Sequence, residues 1–176
     1  WMARDDDQTI NDTTATLRRL HVPFESLDRS ALEQRFPQFN FGPITRGLLE
    51  PDAGVIMARR AVQMVVRQAV KQSVDYRITE VTAPTGTGAI DGLAASDGSR
   101  LTAGTYVFAC GPWLPKLFPS VVGGRLRSTR QEVFFFGAEP GTQRFVPPQM
   151  PAWTDVAGGV YGVPDLEGRG FKIGLH

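Results

Sequence analysis

Tyr161, Lys172 and His176 are three of the side chains that can carry charge or exchange protons in the last sixteen residues, YGVPDLEGRGFKIGLH. Side chains alternate along a strand, so Lys172 and His176 would share one face of a strand covering FKIGLH. Their Cα atoms would lie about 13 Å apart, so they could line two ends of one cavity without touching. A hairpin around the loop Pro164–Gly170 would place Tyr161 roughly opposite Lys172 on the same face, and a register slip of one residue would move Tyr161 to the other face.

A lysine on such a face has a specific chemical use. Its cation, or a water that it holds, can stabilise negative charge that develops on oxygen. The alternative is a half-solvated sheet whose polar face simply meets water. Alternation alone leaves both interpretations open.

A second candidate site lies in TYVFACGPWLPKLF, where a continuous apolar run ends in glycine. Such a run predicts a fully buried, parallel strand, and open α/β sheets bind ligands at the carboxyl ends of their strands. Gly111 would let a ligand approach the backbone closely, and Trp113 could begin a helix or wall a pocket. The alternative is an ordinary strand-to-helix turn in which the glycine only supplies an unusual φ.

Composition excludes several classes of protein. Nineteen Lys and Arg against eighteen Asp and Glu give a net charge of +1, which argues against a nucleic-acid binder. No apolar run approaches the length of a membrane span, and the start, WMARDDDQT, lacks the features of a signal peptide. Because a Trp precedes the first Met, we expect this end to be the end of a fragment and not a natural start. Cys110, the single cysteine, fits a reducing, cytoplasmic compartment and a buried apolar position. No metal-ligand cluster is visible.

Periodicity predicts an α/β middle between two ends of α+β character. Helices are expected over 12–20, capped by Asp12, over 28–36, capped by Asp28, and over 55–72 with one apolar stripe. Extended structure is expected in HVPFESL, and strands in SVDYRITEVTAP, TYVFACG, QEVFFFG, GVYGV and FKIGL, with a hairpin turn at Asp97-Gly98.

Several stretches, in this order, resemble the D-amino-acid oxidase superfamily, in particular its sarcosine oxidase-like amine oxidases. LEPDAGVIMARRAVQMVVRQAV resembles the family's E-P-x-x-G-x-h segment and the helix after it, where h is apolar. TYVFACGPW resembles the A-x-G-x-W segment late in the flavin domain. YGVPDLEGRGFKIGLH resembles Y-G-h-P…G-h-K-h-G-x-H. The similarity covers nearly the whole chain, and the order of the pieces makes the combination fairly specific.

The resemblance implies part of a Rossmann-like FAD domain, at 49–120, and part of an antiparallel-sheet substrate domain, at 1–48 and 121–176. It implies oxidation of a C–N bond in a small amine or amino acid by hydride transfer to FAD. The matching lysine, Lys172, is assigned to oxygen activation, and Tyr161 and His176 to the substrate cavity. The residues implied to contact or flank the cofactor are Val81, Ala109, Cys110, Gly111, Trp113 and Arg130.

One departure from the family pattern matters. The opening G-x-G-x-x-G unit, which holds the dinucleotide pyrophosphate on a helix N-terminus, is absent, and Gly86-Thr-Gly88 leads into a hairpin pattern instead. The family's C-terminal part is also absent, so we expect an internal fragment that lacks the remainder of a parent chain. The alternative is a cofactor-free α+β binding or interaction module that retains the scaffold.

Overall fold

A computed structural model describes residues 1–85 and 88–175. The chain divides into two compact units, one formed by Trp1–Ile56 with Gln131–His176 and the other by Met57–Arg130. The first unit contains β1 (Met2–Ala3), α1 (Gln8–Arg19), β2 (Glu25–Asp28), α2 (Arg29–Arg35), β3 (Arg46–Leu49), β6 (Val133–Phe136), β7 (Trp153–Asp155), β8 (Val160–Val163) and β9 (Phe171–Leu175). The second contains α3 (Ala58–Lys71), β4 (Leu93–Ala94), β5 (Arg100–Leu101), a 3₁₀ turn (Gly111–Trp113), α4 (Leu114–Leu117) and α5 (Pro119–Val122).

The strands described in the first unit form one seven-stranded sheet in the order β2-β3-β1-β7-β8-β9-β6. Neighbouring strands are antiparallel except β1 and β7, which are parallel. The mixture of helices with a mostly antiparallel sheet confirms the predicted α+β class. The assignment of 1–48, 49–120 and 121–176 to substrate and flavin domains stays a prediction.

The core of this unit lies on both faces of the sheet. Met2 and Ala3 are adjacent on β1 and therefore point to opposite faces. Met2 belongs to a cluster with Leu32 and Phe36 of α2 and its C-cap. Ala3 belongs to a second cluster with Ile10 of α1. The two helices therefore cover opposite faces of the half of the sheet that contains β1.

Helix α2 forms as the sequence predicts. The carboxylate of Asp28 accepts a hydrogen bond from the Ala31 amide at 2.8 Å, so it is the N-cap. Leu32 and Phe36, four residues apart on one helix face, are both buried, at 3% and 8% exposure. The predicted cap and apolar face are therefore confirmed.

Helix α1 begins earlier than predicted. Asp7, not Asp12, is its N-cap and accepts from the Thr9 amide at 2.9 Å. Asp12 lies inside the helix and accepts a hydrogen bond from the Gln8 side chain at 2.8 Å. Of two aspartates that could cap the helix, the one five residues earlier gives the longer helix and satisfies more backbone groups.

In the second unit the helix and the hairpin form, but two predicted strands do not. Ala95 N–H donates to Ser99 at 2.9 Å across the Asp97-Gly98 turn, which confirms the hairpin. SVDYRITEVTAP and TYVFACG are not strands, and Ile78 and Val107 are 89% and 86% exposed. Strand propensity needs a paired neighbour, and the described residues of this unit provide only β4, β5 and one bridge, Val81 to Ala95.

Candidate functional site

The closing hairpin is formed by β8 and β9. Its register pairs Tyr161 with Gly174 and Val163 with Lys172. The expectation that Tyr161 lies directly opposite Lys172 is therefore wrong, because Val163, two residues further along β8, occupies that position. Because the shift is two residues, an even number, Tyr161 and Lys172 still point to the same face. The shared face is confirmed, and the two side chains are diagonal neighbours.

Diagonal neighbours on a sheet lie within reach of a long side chain. The Lys172 ammonium stands over the Tyr161 ring, with Nζ 5.0 Å from the ring centroid. Both residues are half-buried. A cation at this distance interacts favourably with the negative face of the ring. The contact fixes a cation on this face of the sheet while part of its surface remains open.

Glycine makes the flat placement of the Tyr161 ring possible. An ideal Cβ built on Gly174 would lie 2.6 Å from both Cζ and Oη of Tyr161. The ring therefore crosses β9 directly over the bare backbone of Gly174. Alternation along FKIGLH puts Gly174 on the same face as Lys172, but its role was not anticipated. A glycine in the interior of a strand was the available signal, because it marks close approach of another group.

The opposite face anchors the same hairpin to the core. The Trp153 ring of β7 lies across Gly162, where an added Cβ would collide with it. That ring also meets Phe39 edge-on, with the two ring centroids 5.5 Å apart. Trp153 Nε1 is buried and has no hydrogen-bond acceptor among the described residues. Two neighbouring strands thus each carry an aromatic ring over a glycine, on opposite faces.

A groove of about 460 Å³ opens beside Tyr161. Its lining is largely apolar and includes Tyr161 of β8 and Thr154, which is paired with Tyr161 on β7. Thr154 was not anticipated, because only the β7–β8 register reveals that it faces Tyr161. The groove offers an apolar wall to a small molecule, and its lining includes Gly54, Val55, Ile56, Trp153, Thr154, Tyr161, Gly162 and Val163.

The residues that the resemblance implies for the cofactor lie mostly in the second unit. Ala109 is exposed, and Cys110 is only half-buried, less than the buried position expected for it. Gly111 adopts a left-handed φ of 51° and begins the 3₁₀ turn. Trp113 ends that turn directly before α4 and is 64% exposed. Val81 forms the bridge to Ala95.

Two further candidate residues stand apart from this description. Arg130 is exposed and is the last residue of the second unit. His176, the predicted second polar residue of the β9 face, lies outside the described residues, as does Gly86 of the Gly86-Thr-Gly88 loop. Their expected roles stay predictions.

Among the described residues, no helix is long and apolar enough to cross a membrane.

A mostly antiparallel sheet with a tyrosine at an apolar groove, and a lysine held over the ring of that tyrosine, defines a candidate small-molecule site. Comparison with known families gives the class: a model described as FAD dependent oxidoreductase (DAO) matches residues 1–176. The chain therefore belongs to the DAO family of FAD-dependent oxidoreductases. No curated protein matches the chain.

The described residues can be tested for their fit to FAD, one unit at a time. In the first unit, the half-buried ammonium of Lys172 is a positive charge of the kind that can stabilise negative charge on a bound group. In the second, no side chain stands within 4 Å of the Cβ position of Gly111, so a ligand can approach its backbone. The exposed Trp113 ring offers a nearby flat surface. These features fit the group.

Proposed function

We propose that this protein oxidises the C–N bond of a small amine or amino acid, as sarcosine oxidase-like members of its family do. The observation that carries the proposal is the Lys172 ammonium held over the Tyr161 ring on one face of the seven-stranded sheet. Family membership supports FAD as the cofactor. The amine substrate and the cytoplasmic location expected from the single cysteine remain part of the proposal.

The roles of the residues follow from their chemistry. Tyr161 and Thr154 carry hydroxyls that would orient the substrate amine, and the side chains of Val55 and Ile56 would contact its apolar part. Lys172, or a water that it holds, would stabilise negative charge that develops on dioxygen. His176, which resembles the family's cavity histidine, would line the same cavity. Oxidation takes a hydride from carbon and a proton from nitrogen, which leaves a C=N bond in the product.

The residues proposed to hold the cofactor are Val81, Ala109, Cys110, Gly111, Trp113 and Arg130. Bound FAD would supply the redox chemistry by accepting the hydride and passing the electron pair to oxygen or another acceptor. The exposed backbone at Ala109 and Gly111 would approach the group, and the Trp113 ring would flank it. Arg130 would contribute positive charge toward the polar atoms of FAD.

Binding and turnover are tested first. The purified chain is mixed with FAD, separated from free cofactor and examined for flavin absorbance at about 450 nm. Anaerobic addition of sarcosine, or of a panel of small amines and amino acids, should bleach that band. A bound flavin that no amine reduces would contradict the substrate class. A chain that takes up no FAD would instead favour the cofactor-free binding module.

The role of Lys172 is tested by Lys172→Met, which keeps much of the side-chain volume and removes the charge. The variant should slow reoxidation of the reduced flavin by oxygen while reduction by the amine changes little. Lys71→Met is the matched control, because it removes a lysine charge from the last turn of α3. Equal reoxidation rates in the two variants would remove the oxygen-activation role and would favour a dehydrogenase with another acceptor.

A further inference from the structure

We infer that Gly174 is a positioning residue: its missing side chain holds the Tyr161 ring flat across β9 and thereby sets where the Lys172 ammonium stands. The consequence of this inference for catalysis rests on the proposed function. The geometric part does not, because it concerns only contacts within the β8–β9 hairpin.

The Tyr161 ring occupies the space where a side chain at position 174 would begin. Ordinary van der Waals contact with a Cβ begins at 3.4 Å, whereas a Cβ on Gly174 would meet Cζ and Oη at 2.6 Å. An alanine would therefore force the ring end outward by about 0.8 Å, the difference between the two distances. The phenol end of the ring would move most, since these are the atoms that collide.

The Tyr161 ring links Gly174 to Lys172, because it contacts both residues. Lys172 and Gly174 share one face of β9, so the ring that lies over Gly174 is also the surface beneath the lysine. Nζ stands 5.0 Å from the ring centroid, and this attraction weakens quickly as the cation leaves the ring face. Tilting the ring removes that surface. The ammonium is then free to sample other positions.

The backbone at Gly174 does not itself require glycine. Gly174 is not in the left-handed region and lies within a regular strand, so alanine can adopt its conformation. Alanine in place of glycine reduces the entropy that the unfolded chain loses on folding. Any cost of Gly174→Ala must then come from the collision with Tyr161.

The matched control is Gly162→Ala. Gly162 is also in a regular strand with an ordinary φ, and it also lies under an aromatic ring, that of Trp153. The difference is that Trp153 occupies the opposite face of the sheet from Lys172. Both substitutions disturb an aromatic ring on a glycine, but only Gly174→Ala disturbs the ring under the cation.

The test is the NMR shift that the Tyr161 ring current imposes on the ε-methylene protons of Lys172, measured without flavin. Tyr161→Leu defines the shift without the ring. In Gly174→Ala the shift of the Lys172 ε-methylene protons should move most of the way from its native value to its value in Tyr161→Leu. In Gly162→Ala it should stay close to its native value. A Lys172 shift that is unchanged in Gly174→Ala would overturn the inference.

A stability measurement keeps the inference testable should Gly174→Ala fold poorly. Introduced into a Tyr161→Ala background, Gly174→Ala should no longer lower the melting temperature, because the colliding ring is gone. If Gly174→Ala lowered the melting temperature equally in the native chain and in the Tyr161→Ala chain, the inference would be overturned. A lost Lys172 shift in a chain that oxidises no amine would uphold the positioning role and count only against the proposed function.

Discussion

The packing of α2 on the sheet gives a quantitative prediction about coupling between two residues. An ideal Cβ on Gly47 of β3 would lie 2.8 Å from Cδ2 of Leu32, which is 3% exposed. Gly47→Ala alone should therefore overpack the core and cost about 1–3 kcal/mol. Leu32→Ala alone should leave a cavity and cost about 2–5 kcal/mol, a large part of the about 5–15 kcal/mol that stabilises a typical protein.

The double variant separates this explanation from simple additivity. With Leu32 shortened, the alanine at position 47 meets no clash and fills part of the cavity. The double variant should then be less destabilised than the two single costs combined, by about 1–2 kcal/mol. The control pair is Leu32→Ala with Gly54→Ala, because a Cβ on Gly54 meets nothing within 4 Å and Gly54 has no positive φ.

Native-state hydrogen exchange is the suitable assay, since it reports the stability of individual strands. The amide of Leu48, which donates to the Trp1 carbonyl at 2.9 Å, is a direct probe of β3. Costs that add within about 0.5 kcal/mol for Gly47 and Leu32 would refute the packing argument. Coupling of equal size in the Gly54 control would refute it as well.

Three further predictions address a cap, a turn and an edge strand. Asp28→Ala should lower the stability of the chain by about 1 kcal/mol in thermal unfolding, whereas Asp28→Ser should recover most of the loss. Hydrogen bonds from the Ser99 hydroxyl and amide hold the pKa of Asp97 below its ordinary value. This carboxylate therefore stabilises the turn above its ordinary pKa, and the contribution disappears as pH falls through the lowered value. Ser99→Ala should raise the pKa of Asp97 in an NMR titration, and an unmoved value would contradict the assignment. Phe134 lies on β6, which the described strands pair on one side only, and is 52% exposed; Phe134→Lys should reduce concentration-dependent light scattering, and unchanged scattering would exclude this edge as an association site.

Local signals in the sequence predicted those elements that local contacts stabilise. The α2 cap, its buried face and the Asp97-Gly98 hairpin each depend on residues a few positions apart. Such contacts act before the rest of the chain is arranged, so they can be recognised in one short window. The α2 helix and the hairpin formed as expected for this reason.

Strands whose partners are distant could not be predicted in the same way. TYVFACG has strong strand propensity, yet no described strand pairs with it and Val107 is 86% exposed. The stripe on α3 has the correct helical spacing, but Val65 is 68% exposed. Propensity and periodicity describe which face would be buried, and burial itself requires a second surface. The parallel pairing of β1 with β7 is likewise invisible in either segment alone.

The candidate site combines a feature that local sequence signals predict with one that depends on contacts between strands. Alternation assigns faces, and a face assignment survives any register shift by an even number of residues. Tyr161 and Lys172 could therefore be placed on one face although their expected pairing was wrong. The cation–ring contact is different, because it depends on the diagonal geometry and on the bare backbone of Gly174. The proposed chemistry depends on that contact, so an experiment that moves the ring without changing the face is the one that tests it.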